Sequence, residues 1–208
     1  MTTLIVALDG EPGIETRALM SELMVAGVRW FKVGVPMLLH PEGRRTADFI
    51  QHLAAQMMLD AKIYDIRDTV LRTVDAAIAL GASMLTVHAD CVPYVKAEDR
   101  LKIIAVRRLT DGTAGDSPVA WETAAAGFIC PMTHVAALRQ LTDKIIISPG
   151  IRPAGAAPDN HQAPATPEEA AQAGADYIVV GRPIIAAADP VKAACDIMAA
   201  LRQPPRGP

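Results

Sequence analysis

Cysteine is scarce in this chain. The three present, Cys91, Cys130 and Cys195, are odd in number and widely spaced. That spacing suits neither a disulfide framework nor a Cys/His metal cluster, so reduced core thiols in a cytoplasmic protein are expected. Aromatic residues make up only 4% of the chain, and the net charge of −3 contains no block of one sign. Nucleic acid and membrane surfaces demand a basic stripe, so neither is an expected partner. No apolar run approaches a membrane span. No basic segment with a long apolar stretch precedes the first strand, so no cleaved leader is expected. No Gly-x-Gly-x-x-Gly follows that strand, which weakens a dinucleotide-binding reading.

What is present is hydrophobic residue, 51% of 208, enough for one substantial core. It falls into short apolar runs of strand length at Thr3–Leu8, Trp30–Val35, Met57–Lys62, Met84–His88, Lys102–Val106, Gly127–Cys130, Lys144–Ser148 and Tyr177–Val180. Continuous apolar runs are the mark of parallel strands covered on both faces. Between them lie helical patterns at Ile14–Ala26, Arg44–Ala55, Ile66–Leu80, His134–Leu141, Pro167–Ala173 and Pro190–Leu201. Thr166-Pro167-Glu168-Glu169 spells a capping box with proline at the first helical position, and Asp189-Pro190 opens the last helix. Gly27, Gly81 and Gly174 serve as stops. Strands and helices in this alternation predict a (β/α)8 TIM barrel, with a doubly wound open sheet as competitor. No linker divides the chain, so residues 1–202 are expected to form a single domain and 203–208 a frayed tail.

A (β/α)8 barrel gathers its active site at the C-terminal ends of its strands. Polar groups collect there: Asp9 after strand 1, Lys32 on strand 2, Asp60 and Lys62 on strand 3, and His88 and Asp90 after strand 4. Thr110 follows strand 5, Ser148-Pro149-Gly150 strand 7, and Gly181-Arg182 strand 8. Asp9 could equally cap a turn, and His88 could be a satisfied core histidine. So many polar groups on one rim cannot be buried cheaply unless they are used. The densest cluster is Asp60-Ala61-Lys62-Ile63-Tyr64-Asp65. Strand alternation puts Asp60 and Lys62 on one face, and Asp65 lies just beyond, so the Lys62 ammonium is expected between two carboxylates. Pro149-Gly150-Ile151-Arg152, the small-residue stretch from Pro153 to Ala165, and Gly181-Arg182-Pro183 occupy the places where barrels commonly hold phosphate. Arg182 would supply a bidentate fork.

These motifs resemble the orotidine 5'-phosphate decarboxylase family. The matching pieces are Val6-Ala7-Leu8-Asp9, Phe31-Lys32-Val33-Gly34, Leu59-Asp60-Ala61-Lys62 with Asp65-Ile66 and Thr69, Thr86-Val87-His88, Pro149-Gly150-Ile151-Arg152-Pro153, and Tyr177-Ile178-Val179-Val180-Gly181-Arg182-Pro183. They occur in family order along nearly the whole chain. The resemblance implies a cofactor-independent decarboxylation of orotidine 5'-monophosphate to UMP, in de novo pyrimidine synthesis, with no metal. Lys62 would deliver the proton to C6, and Asp60 would sit beside the substrate carboxylate. Asp9 and Lys32 would bind ribose hydroxyls, and Thr110 the pyrimidine. Pro149, Gly150, Gly181 and Arg182 would surround the phosphate, with Gln162, or His161 by strict counting, reaching from a lid. Family members are homodimers with shared sites, so Asp65 and Thr69 would serve the neighbouring subunit.

The chain departs from the family pattern in places. Tyr64-Asp65-Ile66-Arg67-Asp68-Thr69 stands where the family has His-Asp-Ile-Pro-Asn-Thr, Asp90-Cys91-Val92-Pro93 replaces a glycine-containing turn, and Leu109–Ala126 leaves room for only a reduced fifth helix. Two rivals share the scaffold. Magnesium-dependent 3-keto-L-gulonate 6-phosphate decarboxylases and hexulose-phosphate synthases typically carry a metal-binding glutamate on strand 2, where this chain has Lys32. The other rival is a phosphate-binding barrel without catalysis.

Overall fold

The computed structural model describes residues 1–10, 12–96, 100–106, 124–153 and 165–202. Thr110, His161, Gln162, the tail from 203, most of the expected lid and most of the segment between the fifth and sixth strands lie outside the described residues.

Eight parallel strands close into a barrel in sequence order: β1 Thr3–Ala7, β2 Trp30–Gly34, β3 Gln56–Ile63, β4 Met84–His88, β5 Lys102–Val106, β6 Gly127–Ile129, β7 Ile145–Pro149 and β8 Tyr177–Val180. The ring is sealed by β1 against β8, with Thr3 opposite Tyr177 and Val6 opposite Val180. The helices among the described residues are α1 Ile14–Val25, α2 Val35–Leu39, α3 Gly43–His52, α4 Arg67–Ala79, α5 Met132–Arg139, α6 Pro167–Gln172, α7 Arg182–Ile185 and α8 Pro190–Ala200. None is long and apolar enough to cross a membrane. The (β/α)8 expectation therefore holds and the open sheet is excluded.

Alternation sorts each strand between two cores. Leu4, Val6, Phe31, Val33, Leu59, Leu85, Ile146 and Ile178 face outward and are sealed under the helices. Ile5, Ala7, Met58, Met84, Ile104, Ile147 and Val179 fill the barrel interior. Below them Trp30 and Tyr177 meet edge to face, their ring centroids 5.3 Å apart. Two residues further toward the C-terminal ends, the same inward positions become Asp9, Lys32, Asp60, Thr86, Val106, Pro149 and Gly181. The interior is thus an apolar plug with a polar rim above it.

The helix signals are realised at the atomic level. The Thr166 hydroxyl accepts from the Glu169 amide at 3.2 Å, and the Glu169 carboxylate accepts from the Thr166 amide at 2.8 Å. Asp189 caps α8 by accepting from the Lys192 amide at 2.8 Å. Three short elements were not expected. Val35–Leu39 forms α2 directly off β2, Ala89–Tyr94 winds as a 3-10 helix, and Arg182–Ile185, read as loop, is α7. The cysteine expectation needs one correction. Cys91 and Cys130 are buried, and burial pushes the Cys130 thiol up to about 12, but Cys195 is exposed on α8.

Candidate active site

Above the plug lies a cavity of about 260 Å³. Met58, Val106, Ile129 and Val179 are among its apolar lining, and Asp9, Lys32, Asp60, Lys62, Arg152 and Arg182 are the charged groups among the described residues that line it. Four of these form an alternating line. Lys32 Nζ donates to Asp9 Oδ1 at 2.9 Å and lies 3.4 Å from Asp60 Oδ2, which accepts from Lys62 Nζ at 2.7 Å. Charge is balanced along the row, which is how such groups can stand together over an apolar floor.

The local backbone explains how Lys62 arrives there. β3 and β4 are in step at Leu59 opposite Leu85, and the next matched pair is Ile63 opposite Val87. Three residues, Asp60 to Lys62, therefore face the single residue Thr86, an expanded bulge of the kind that re-aims side chains beside active sites. Lys62 takes φ +46°, a left-handed conformation that costs a side-chain-bearing residue about 1–2 kcal/mol. Its amide has lost a strand partner and donates to Thr86 Oγ1 at 2.9 Å. The same hydroxyl lies 2.9 Å from Asp60 Oδ1.

Asp60 is the electrostatic centre. Its side chain is 12% exposed, against 40% for Lys62. Burial alone would push the carboxyl up, but the Lys32 charge, the Lys62 hydrogen bond and charge, and the Thr86 hydrogen bond outweigh it and hold the group below the usual carboxylate value. Asp60 therefore remains an anion in water-poor surroundings.

On the opposite wall, β7 ends at Pro149 and the chain turns at Gly150, whose φ of +77° suits glycine best. Ile151 then bridges Ala165, with the Arg152 amide donating to the Ala165 carbonyl at 2.9 Å. Gly181 closes the ring between β8 and α7. A Cβ there would stand 3.2 Å from Asp9 Oδ2 and 3.4 Å from Ala7 Cβ, so glycine keeps the carboxylate in place.

The structure thus brings Asp9, Lys32, Asp60, Lys62, Pro149, Gly150, Gly181 and Arg182 into one cavity. It does not bring Asp65 or Thr69 there. The expectation that Lys62 sits between two carboxylates of its own chain is corrected. Beyond Ile63 the chain swings outward, Asp65 is exposed, and its Oδ1 accepts from the Ile66 amide at 2.7 Å. His88 also stands off, edge to face with Tyr64 at 4.6 Å and 3.5 Å from Asp90. Two contributions were expected only as members of a motif, Arg152 in the loop after β7 and Thr86 on β4. Arg152 adds a second guanidinium, and Thr86 organises Asp60 and Lys62 from beneath. The signal for Thr86 was a lone hydroxyl in the apolar run Met84-Leu85-Thr86-Val87, on the inward face.

A closed parallel barrel with its cations and carboxylates concentrated at the C-terminal rim has the layout of a (β/α)8-barrel enzyme. Comparison with known proteins narrows the class. The family model described as Orotidine 5'-phosphate decarboxylase / HUMPS family matches residues 2–197. Proteins named orotidine 5'-phosphate decarboxylase from Methylobacterium sp. (strain 4-46) and Rhodopseudomonas palustris (strain BisB5) are 36% and 34% identical, each match covering 96% of this chain and 95% and 94% of theirs. The crystal structure of the Lactobacillus acidophilus orotidine 5'-phosphate decarboxylase superposes with a TM-score of 0.79 at 27% identity, covering 98% of this chain and 100% of that one. The chain belongs to the orotidine 5'-phosphate decarboxylase / HUMPS family.

Proposed function

We propose that this protein decarboxylates orotidine 5'-monophosphate to UMP, using Lys62 as proton donor and no cofactor. The observation that carries the reading is the Lys62 ammonium, anchored 2.7 Å from Asp60 in a cavity that also holds Arg182. The substrate's C6–carboxylate bond breaks, its electron pair stays on C6, CO2 leaves, and Lys62 transfers a proton to C6. No ring substituent delocalises that electron pair well. A fixed cation that meets charge present only in the transition state lowers the barrier selectively. Asp9 and Lys32 would bind the ribose hydroxyls. Arg182, with Gly150, Gly181 and the Pro149 turn, would hold the phosphate, whose binding far from C6 would contribute to the reacting geometry. Thr110 and Gln162 keep their proposed roles at the base and the lid.

The site is proposed to be completed by a second copy of the chain. Val35 and Leu39 after β2, Tyr64 and Ile66 after β3, and Tyr94 after β4 are exposed apolar residues on the segments that follow three consecutive strands. Apolar surface gathered in this way marks an association face. Asp65 and Thr69 lie beside it, where they would reach the partner's cavity. The reaction would take place in the cytoplasm, as a step of pyrimidine synthesis.

The magnesium-dependent chemistry found on this scaffold does not suit these residues. Asp60 Oδ2 is already shared by two ammonium groups, and Lys32 would repel a divalent cation there. The test is the loss of orotate-type ultraviolet absorbance when purified protein meets orotidine 5'-monophosphate in excess EDTA. Turnover supports the proposal. Tight UMP binding without turnover favours a non-catalytic barrel, and magnesium-dependent turnover of a sugar phosphate favours the metal-dependent enzymes.

A further inference from the structure

We propose that Thr86 is a positioning residue for the reaction, its hydroxyl fixing both the Asp60 carboxylate and the left-handed backbone of Lys62. The inference rests on the decarboxylase reading for its kinetic part, and on geometry alone for the rest.

Thr86 is fully buried, one of few polar side chains so placed among the described residues. Its hydroxyl has one proton to give and lone pairs to accept with. The Lys62 amide, 2.9 Å away, can only donate, so Thr86 accepts there. Its own proton is then committed to Asp60 Oδ1, also at 2.9 Å. The direction of both bonds follows from the chemistry of the partners. One Asp60 oxygen is thereby taken from below, and the other is left to the two lysines. The carboxylate cannot rotate without giving up one of these contacts.

The backbone bond is equally specific. The bulge leaves Lys62 without a strand partner and in an unfavourable φ region, and such conformations persist only where the surroundings over-determine them. Thr86 is the β4 residue opposite the bulge and provides that constraint. Removing it would let the Lys62 backbone relax toward a commoner conformation and move the ammonium. Small displacements of a reacting group cost rate more than they cost substrate binding.

Thr86→Val, which keeps the shape and removes the hydroxyl, tests this against Thr86→Ser, which keeps the hydroxyl. Val is expected to lower kcat about tenfold or more with KM for orotidine 5'-monophosphate nearly unchanged, because lost hydrogen bonds to charged or buried groups have that magnitude. Ser is expected to recover most of the loss. A purely packing role would give the opposite order, with Val harmless and Ser the weaker variant.

A second measurement needs no turnover. The charged and polar groups facing Asp60 are Lys32 from β2, Lys62 on its own strand and Thr86 from β4, with Asp9 behind Lys32. Loss of a hydrogen bond to the charged form should move the Asp60 titration, followed by carboxyl-carbon NMR, upward in Thr86→Val and back in Thr86→Ser. An unchanged Asp60 midpoint in a folded Thr86→Val protein overturns the positioning role. If Thr86→Val does not fold, Thr86→Ala, whose smaller side chain avoids a new clash, takes the same two tests. A parent protein inert toward orotidine 5'-monophosphate overturns the proposed reaction, and the Asp60 titration still decides the role of Thr86.

Discussion

Asp60 holds Lys62 through a single oxygen, Oδ2, at 2.7 Å, and Lys32 reaches that same atom at 3.4 Å. Lys62 is therefore tethered at one end of a charge row whose other end, Asp9, is 54% exposed. The tether leaves the ammonium facing the cavity, which an interior salt bridge would not.

Replacing that ammonium separates binding from chemistry. Lys62→Ala is expected to lower kcat by about 10⁴-fold or more, since a positioned acid and a fixed charge are lost together. UMP binding, measured by calorimetry, should persist through Arg182 and the ribose contacts. Activity near the parent level would remove Lys62 from the mechanism.

Arg182→Ala should act at a distance from the reacting carbon. KM for the phosphorylated substrate is expected to rise about 10–100-fold, the scale of hydrogen bonds to a charged group. The dephosphorylated nucleoside should show no such difference between parent and variant. An unchanged KM for the nucleotide would refute the phosphate assignment.

If Asp65 serves the partner's cavity, two inactive proteins should complement one another. In a hybrid dimer of Lys62→Ala with Asp65→Ala, one site carries both defects and the other carries neither. An equal, fully exchanged mixture should regain about a quarter of the parental activity by random pairing of a two-fold dimer. Hybrid dimers demonstrated by mass spectrometry but still inactive would place Asp65 outside the site.

The carboxyl of Asp60 gives a pH signature. Its value in the folded protein lies below 3.8, its ordinary one, because the lysines and Thr86 outweigh its burial. A group depressed on folding stabilises fully above its unfolded value, and the contribution fades as pH falls through the folded one. The stability gap between parent and Asp60→Asn should thus be constant near neutrality and narrow below about pH 4. Chemical denaturation at several pH values measures it, and a gap that widens on acidification would contradict the assignment.

The barrel was legible because burial on both faces leaves parallel strands as unbroken apolar runs, and because capping groups such as Thr166 and Asp189 mark helix starts. Alternation also placed Asp60 and Lys62 together correctly. What stayed hidden was geometry that breaks those periods. α2 and α7 are too short to show a 3.6-residue repeat. The bulge after Leu59 has no sequence signature, so nothing in the residue pattern predicted that Lys62 would need a partner for its amide, and only the family resemblance implied that Asp65 would leave its own site. Thr86 was visible only as a residue in a motif, since its role depends on the register between β3 and β4.

The left-handed turn of Lys62 sets the protein's thermostability against its chemistry. Glycine at that position would relieve the backbone, whereas alanine would retain the penalty of a β-carbon at φ +46°. Of these two variants, Lys62→Gly should melt at the higher temperature. The backbone strain at that position is then a standing cost of keeping a side chain there at all.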